Sequence, residues 1–196
     1  MTVADEPESW PVRSTRTEFE GAVIGVRVDT LEYGGQTFDR EVVEHPGAVA
    51  IAAVDDRDRV LVLSQYRHAA QRRMIELPAG LLDVEGEKPL LAAQRELREE
   101  GGLSAERWQE LLEYVPNPGM STERVTIFVA QGLAPAAQRD GFEAEHEEAV
   151  MSRDWVALDE LVAAVMAGSV QNGPTVVGVL ALSRSRDAPT TLARME

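Results

Sequence analysis

The chain has 196 residues, 44% of them hydrophobic and 27% charged, the values of one globular domain with a proper core. A net charge of −15, from 19 basic and 34 acidic residues, repels nucleic acid and anionic membrane, and no basic patch offsets it. There is no cysteine, which excludes disulfides, thiolate zinc sites and cysteine nucleophiles and suits a reducing compartment.

The opening "MTVADEPESWPVRS" is acidic and lacks an apolar stretch, so it reads as neither signal peptide nor anchor. No run approaches the roughly 18 apolar residues needed to span a bilayer. A cytoplasmic protein with neither nucleic acid nor membrane as partner is expected. Residues 1–18 read as a flexible tail. "GAVIGVRVDTLEYGGQTFDREVVEH" then offers two β-rich runs around Gly34-Gly35, an antiparallel hairpin occupying residues 19–45.

"GAVAIAAVDDRDRVLVLSQYR" repeats the arrangement, with a polar turn at residues 55–59 between two apolar runs. "RRMIELPAG" is a short strand that turns at Pro78-Ala79-Gly80. A helix follows, with Pro89 in its first turn and Gly101-Gly102 at its end. "WQELLEYVP" and "RVTIFVAQGL" read as strands around the loop "NPGMSTE", and "RDGFEAEHEEAVM" reads as an acidic loop. "WVALDELVAAVMAG" leads from strand to amphipathic helix, and "GPTVVGVLALSRSR" reads as a last helix before a tail. Strands mixed with two or three helices, without regular alternation, predict an α+β or mixed α/β fold.

The helix after Pro89 carries Glu96, Glu99 and Glu100 on one side. Like charges at these spacings cost about 0.2–0.5 kcal/mol per pair. At about 100° per residue, Leu90, Ala93 and Leu97 form the buried stripe and the three carboxylates border it. Arg95, four residues before Glu99, offsets part of the repulsion. Carboxylates crowded beside a core suit a hard divalent cation, which takes oxygen ligands, and the cluster also offers a general base.

From Glu87 onward this stretch resembles the Nudix box, G-x5-E-x7-R-E-U-x-E-E-x-G-U, through Glu87, Arg95-Glu96-Leu97, Glu99-Glu100 and Gly102-Leu103. One departure precedes the helix: six residues, not five, separate Gly80 from Glu87. The resemblance implies a Nudix-type α/β/α sandwich with a mixed sheet over residues 46–186, a hairpin before it and a C-terminal tail at 187–196. It implies Mg²⁺, with Mn²⁺ as a substitute, held by Glu96, Glu99 and Glu100, while Gly80, Glu87, Arg95 and Gly102 shape the box. The implied reaction is hydrolysis of a diphosphate linked to another moiety.

"REVVEHPGAVAI", "SQYRHA", "ELPAGLLD" and "PNPGMSTE" occur in the order expected of the ADP-ribose pyrophosphatase branch. By that resemblance the Ala79 carbonyl is a further metal ligand, and Arg67, with Arg40, binds phosphates. Glu76 lines the substrate pocket, and Pro118-Gly119 belongs to the substrate loop. The catalytic base lies in "EAEHEEAV", with Glu148 ahead of Glu147. Trp10, Phe19, Tyr33 and Phe38 are candidate platforms for an adenine ring, whereas His45, His68 and His146 are given no metal role. The branch implies a homodimer acting on a small-molecule nucleoside diphosphate sugar. Another nucleotide sugar, a dinucleotide, a nucleoside triphosphate, or a non-catalytic nucleotide-binding regulator remain as alternatives.

Overall fold

The computed structural model describes residues 3–136 and 151–187. They divide into two units: Met1–Pro46 with Val115–Glu123, and Gly47–Tyr114 with Arg124–Glu196.

The first unit is a three-stranded antiparallel sheet in the order β1 (Val12–Glu20), β2 (Gly25–Tyr33), β3 (Gln36–Glu44). Gly34 and Gly35 close the β2–β3 hairpin at φ 59° and 75°, the doubly left-handed turn that matches strand twist. β1 begins inside the segment expected as a flexible tail. Its sequence, VRSTRTEFE, is exposed throughout and has no apolar alternation to announce a strand. Cross-strand polar pairs hold it: the Thr15 hydroxyl donates to Asp29 at 2.7 Å, and Arg13 pairs with Glu32 at 2.7 Å. Residues 115–123 also join this unit, since Val43 N–H donates to the Met120 carbonyl at 2.8 Å. The expected division at 45/46 left them with the later domain.

In the second unit the central strand is β4 (Ala48–Ala53), flanked by β7 (Ala79–Leu81) and, in parallel, by β9 (Val125–Pro135). β8 (Leu103–Tyr114) completes the order β7-β4-β9-β8. Every β4 residue after Ala48 is buried, as a strand covered on both faces must be. Ala50 and Ala52 meet α2 (Leu158–Met166) and α3 (Gly173–Asp187) through Leu161, Val165, Val179 and Leu182. Val49, Ile51 and Ala53 face α1 (Pro89–Glu99) through Ala92, Ala93 and Leu97. Helices therefore cover both faces of a mixed sheet, the expected α/β/α arrangement. Among the described residues no helix is long and apolar enough to cross a membrane.

A second sheet has the order β10 (Ser152–Ala157), β5 (Arg59–Arg67), β6 (Arg72–Glu76). Here the expected repeat of the hairpin differs. β4 and β5 share the turn but only one bridge, Val54 with Val60, before entering different sheets. Both strands already have partners on each side, so neither edge is free for the other. Asp55 organises this turn, accepting N–H bonds from Arg57 and Arg59 and pairing with the Arg59 guanidinium at 2.7 Å. The buried stripe of α1 differs as well. Leu90 is 37% exposed in the first turn, and Ala92 rather than Leu90 joins Ala93 and Leu97 in the core.

Two polar contacts carry predictions. Thr175, fully buried, accepts the Leu77 N–H at 3.0 Å and donates to Asn172, which caps α3. Thr175→Val strands the Leu77 N–H and costs about 1–3 kcal/mol in urea unfolding, with Thr175→Ser close to wild type; equal midpoints for valine and wild type would contradict the bond. Asp29 is held below its ordinary value of 3.8, first by the Thr15 hydroxyl and then by Arg27. Its contribution is complete above that ordinary value and is lost as pH falls through the depressed folded value. Asp29→Asn therefore flattens the acid limb of the stability profile, measured by denaturant midpoints between about pH 5 and pH 2.

Candidate active site

The site is built where α1 lies against β7. Pro89 occupies the first helical turn, where its missing N–H costs nothing, and Gly102 ends the helix at φ 68° with its N–H on the Arg98 carbonyl at 3.1 Å. Between these ends the helix turns Glu96 and Glu100 inward, at 9% and 7% exposure.

The Glu96 side chain crosses directly over Gly80. A Cβ at Gly80 would stand 2.1 Å from both Cδ and Oε1 of Glu96 and 2.6 Å from its Cγ. Any other residue at position 80 displaces either the carboxylate or the helix. One residue away, Glu100 Oε2 accepts the Ala79 N–H at 2.8 Å. Two carboxylates of α1 are thus seated on consecutive residues of β7, and the strand in turn is paired with β4 from Ala79 to Leu81.

Arg95 gathers the rest. Its guanidinium forks onto Glu87, with Nη2 to Oε2 at 3.0 Å and Nε to Oε1 at 3.3 Å. Nη1 donates to Glu96 Oε1 and to Glu99 Oε2, the latter at 3.3 Å. The hydrogen bond to Glu87 is the largest cause of an arginine pKa raised above its ordinary value, with the charges of Glu96 and Glu87 adding to it against desolvation. The extra residue after Gly80 is absorbed before this point. Gly86 takes φ 76° and Glu87 N–H closes a turn on the Val84 carbonyl at 3.0 Å. Glu87 therefore still reaches Arg95.

One guanidinium serves Glu87, Glu96 and Glu99, and Glu100 adds a fourth carboxylate seated on the Ala79 N–H. An excess of partly buried oxygen donors, with one of them threaded over a glycine, fits a hard divalent cation. Among the described residues no three carboxylate or imidazole side chains converge as a ready-made cage. Glu96 and Glu99 aim an oxygen at Arg95, and Glu100 aims one at Ala79.

The other expected residues fall in several places. Arg67 and Glu76 meet each other: the guanidinium donates to both carboxylate oxygens at 2.7–3.1 Å, with Glu76 at 2% exposure and Arg67 half-exposed. Arg40 belongs to the first unit, exposed, with its guanidinium 4.5 Å over the Phe38 ring and donating to the Asp39 carbonyl. Pro118 and Gly119 lie in the same unit, in a turn closed by Met120 and Ser121 N–H groups on the Asn117 carbonyl. Trp10 stacks on Tyr33 at 4.0 Å and meets Phe38 edge-on at 6.1 Å. Phe19 lies apart from them, lining a cleft of about 480 Å³ with Ile24, Glu44 and His45. His68 Nδ1 is 3.3 Å from the Tyr66 hydroxyl. His146, Glu147 and Glu148 lie outside the described residues.

One residue had no assigned role in the sequence. Gln65, inside "SQYRHA", is buried on β5. Its signal was available: it continues the period-2 apolar series of Leu61 and Leu63 with a polar side chain.

A model of the NUDIX domain matches residues 44–174, which include the glutamate helix and the strand beneath it. The chain belongs to the NUDIX family. Family members generally use divalent metal cofactors, in keeping with the oxygen-rich cluster of α1. The chain is 46% identical to an ADP-ribose pyrophosphatase of Mycobacterium tuberculosis, over 86% of this chain and 81% of that protein. It is 33% identical to a methanol dehydrogenase activator of Bacillus methanolicus, over 85% of this chain and 90% of the other. A crystal structure of an ADP compounds hydrolase superposes with a TM-score of 0.78 at 21% identity, covering 94% of this chain and 97% of that one, and shows that the fold is shared.

The approach of Glu96 to Gly80 is testable without any ligand. Gly80→Ala destabilises the metal-free protein, and the penalty largely disappears when Glu96 is shortened to alanine. A double-mutant cycle by urea unfolding should give a coupling of about 1–3 kcal/mol; additive penalties would refute the contact.

Proposed function

We propose that the protein hydrolyses the diphosphate bond of ADP-ribose, releasing AMP and ribose 5-phosphate, with Mg²⁺ as cofactor and Mn²⁺ able to replace it. The observation that carries this reading is the pair of buried carboxylates, Glu96 over Gly80 and Glu100 on the Ala79 N–H, in a cluster whose negative charge Arg95 only partly offsets. The Mycobacterium tuberculosis relative, named for this reaction, supports the choice of substrate.

In this reading Glu96, Glu99, Glu100 and the carbonyl of Ala79 hold the cation. Bound there, a divalent cation neutralises the diphosphate, polarises phosphorus–oxygen bonds and lowers the pKa of a water. The chain's own residues do the positioning. Glu87 pins Arg95, and Arg95 orients one oxygen each of Glu96 and Glu99. The Ala79 N–H fixes Glu100. In the same reading Arg67, which Glu76 holds and which is half-exposed, binds a phosphate oxygen. Across the reaction one water is consumed: its oxygen joins one phosphorus, the bridging oxygen stays with the other phosphate, and the base takes a proton. Glu148, with Glu147 after it, is the proposed base. A net charge of −15 makes the cation necessary for approach as well as for chemistry, because the bare chain repels a diphosphate.

Cytoplasmic location and a homodimer belong to the same proposal. The cysteine-free composition suits the first, and light scattering checks the second.

The test is AMP release from ADP-ribose with Mg²⁺ between about pH 7 and pH 9, alongside a panel of other nucleoside diphosphate sugars and dinucleotides. ADP-ribose should have the highest kcat/KM. Glu100→Gln keeps an acceptor for the Ala79 N–H but removes the charge, so it should fold normally and lose at least about 100-fold in kcat/KM. Wild-type turnover in that variant would remove Glu100 from the site.

A further inference from the structure

Gln65 is 5% exposed on β5, the strand that also carries Arg67. Residues of this strand alternate between two cores: Val60 and Val62 join the cluster of α2 and α3, and Leu61 joins that of α1. The period of two carries Leu63, Gln65 and Arg67 along the α1 side. In the register with β6, Leu63 opposes Glu76 and Gln65 opposes Met74. Gln65 is therefore a neighbour of the Arg67–Glu76 fork on one face of the sheet.

Among the described residues no donor reaches Gln65 Oε1, although the atom is fully withdrawn from solvent. A buried amide oxygen without a partner destabilises the fold, whereas an apolar side chain of similar shape carries no such penalty. Leu61 and Leu63, on the same face, are apolar. An amide at position 65 breaks this series at the position next to Arg67.

We propose that Gln65 Oε1 receives an O–H donor that arrives with the cation-bound nucleotide, either a water of the cation's hydration shell or a ribose hydroxyl. The proposal rests on the reading given under Proposed function. Both donors offer the same chemistry, a hydroxyl hydrogen directed at a neutral acceptor. Mg²⁺ keeps several waters when carboxylates hold it, so donors of the first kind are available. Neutrality matters here: a carboxylate at position 65 would add a further negative charge beside Glu76 and repel the diphosphate. The ligand supplies the partner that the folded chain leaves out, so binding removes a penalty carried by the free protein.

Gln65→Met, which keeps length and removes the acceptor, tests this with melting curves and kinetics. Metal-free Gln65→Met should melt at or above the wild-type temperature, while kcat/KM on ADP-ribose falls about 10- to 100-fold. A reduced melting shift with Mg²⁺ alone identifies the donor as a cation-bound water. An unchanged Mg²⁺ shift with a raised KM identifies a ribose hydroxyl. A variant that melts below wild type without metal has lost an internal partner, and that overturns the proposal; so does unchanged kcat/KM. If wild type leaves ADP-ribose intact, the functional reading fails separately. The melting shifts with Mg²⁺ and with ADP-ribose then decide on Gln65, and equal shifts in both proteins overturn it.

Discussion

The passage of the Glu96 side chain over the bare α-carbon of Gly80 is the constraint on which the rest of the site depends. At 2.1 Å from an imagined Cβ, the carboxylate occupies the space of a missing side chain. The approach lets the helix lie close against the strand at this point. It also explains why α1 meets the sheet through alanines, Ala92 and Ala93, with Leu97 as the one large apolar contributor among its core residues. Larger side chains on that face would lift the helix, and Glu96 would no longer span β7.

Close packing brings an electrostatic cost that the fold offsets only in part. Partly buried carboxylates repel one another and lose hydration. Arg95 answers three of them, and a backbone N–H answers Glu100. A fully neutralised cluster would be a structural ion-pair network with nothing left for a ligand. In the proposed reading the carboxylate-rich cluster is what a cation would meet, and a ligand that binds only the folded state stabilises it by mass action. Arg67 and Glu76 form a further ion pair, with a buried carboxylate holding a half-exposed guanidinium.

Much of this was legible in the residues. Like charges repeated at helical spacing, with Pro89 before and Gly102 after, marked the helix and its acidic side, because a helix maps sequence interval onto angle. The Gly34-Gly35 hairpin was legible for a similar local reason: both residues need left-handed backbone. β1 was not legible, because its stability comes from pairing with β2 and from polar contacts such as Thr15 with Asp29, which leave no apolar period. The parting of β4 and β5 into separate sheets was equally hidden, since each apolar run is compatible with several partners. Leu90 misled because a wheel treats every turn alike, whereas the first turn of α1 lies outside the core.

The sequence by itself determined the chemistry of the site: carboxylates at intervals of three and four, an arginine among them and a glycine upstream, all properties of local order along the chain. The length of the loop after Gly80 looked like a disturbance at that level. Only the tertiary structure decided that Glu87 still meets Arg95 across the longer loop, and that Arg67 and Glu76 belong together. It also decided that Gln65 is buried, with no donor to its amide oxygen among the described residues. These facts depend on which strands pair and in what register, and pairing is chosen by the burial of whole faces rather than by any one segment.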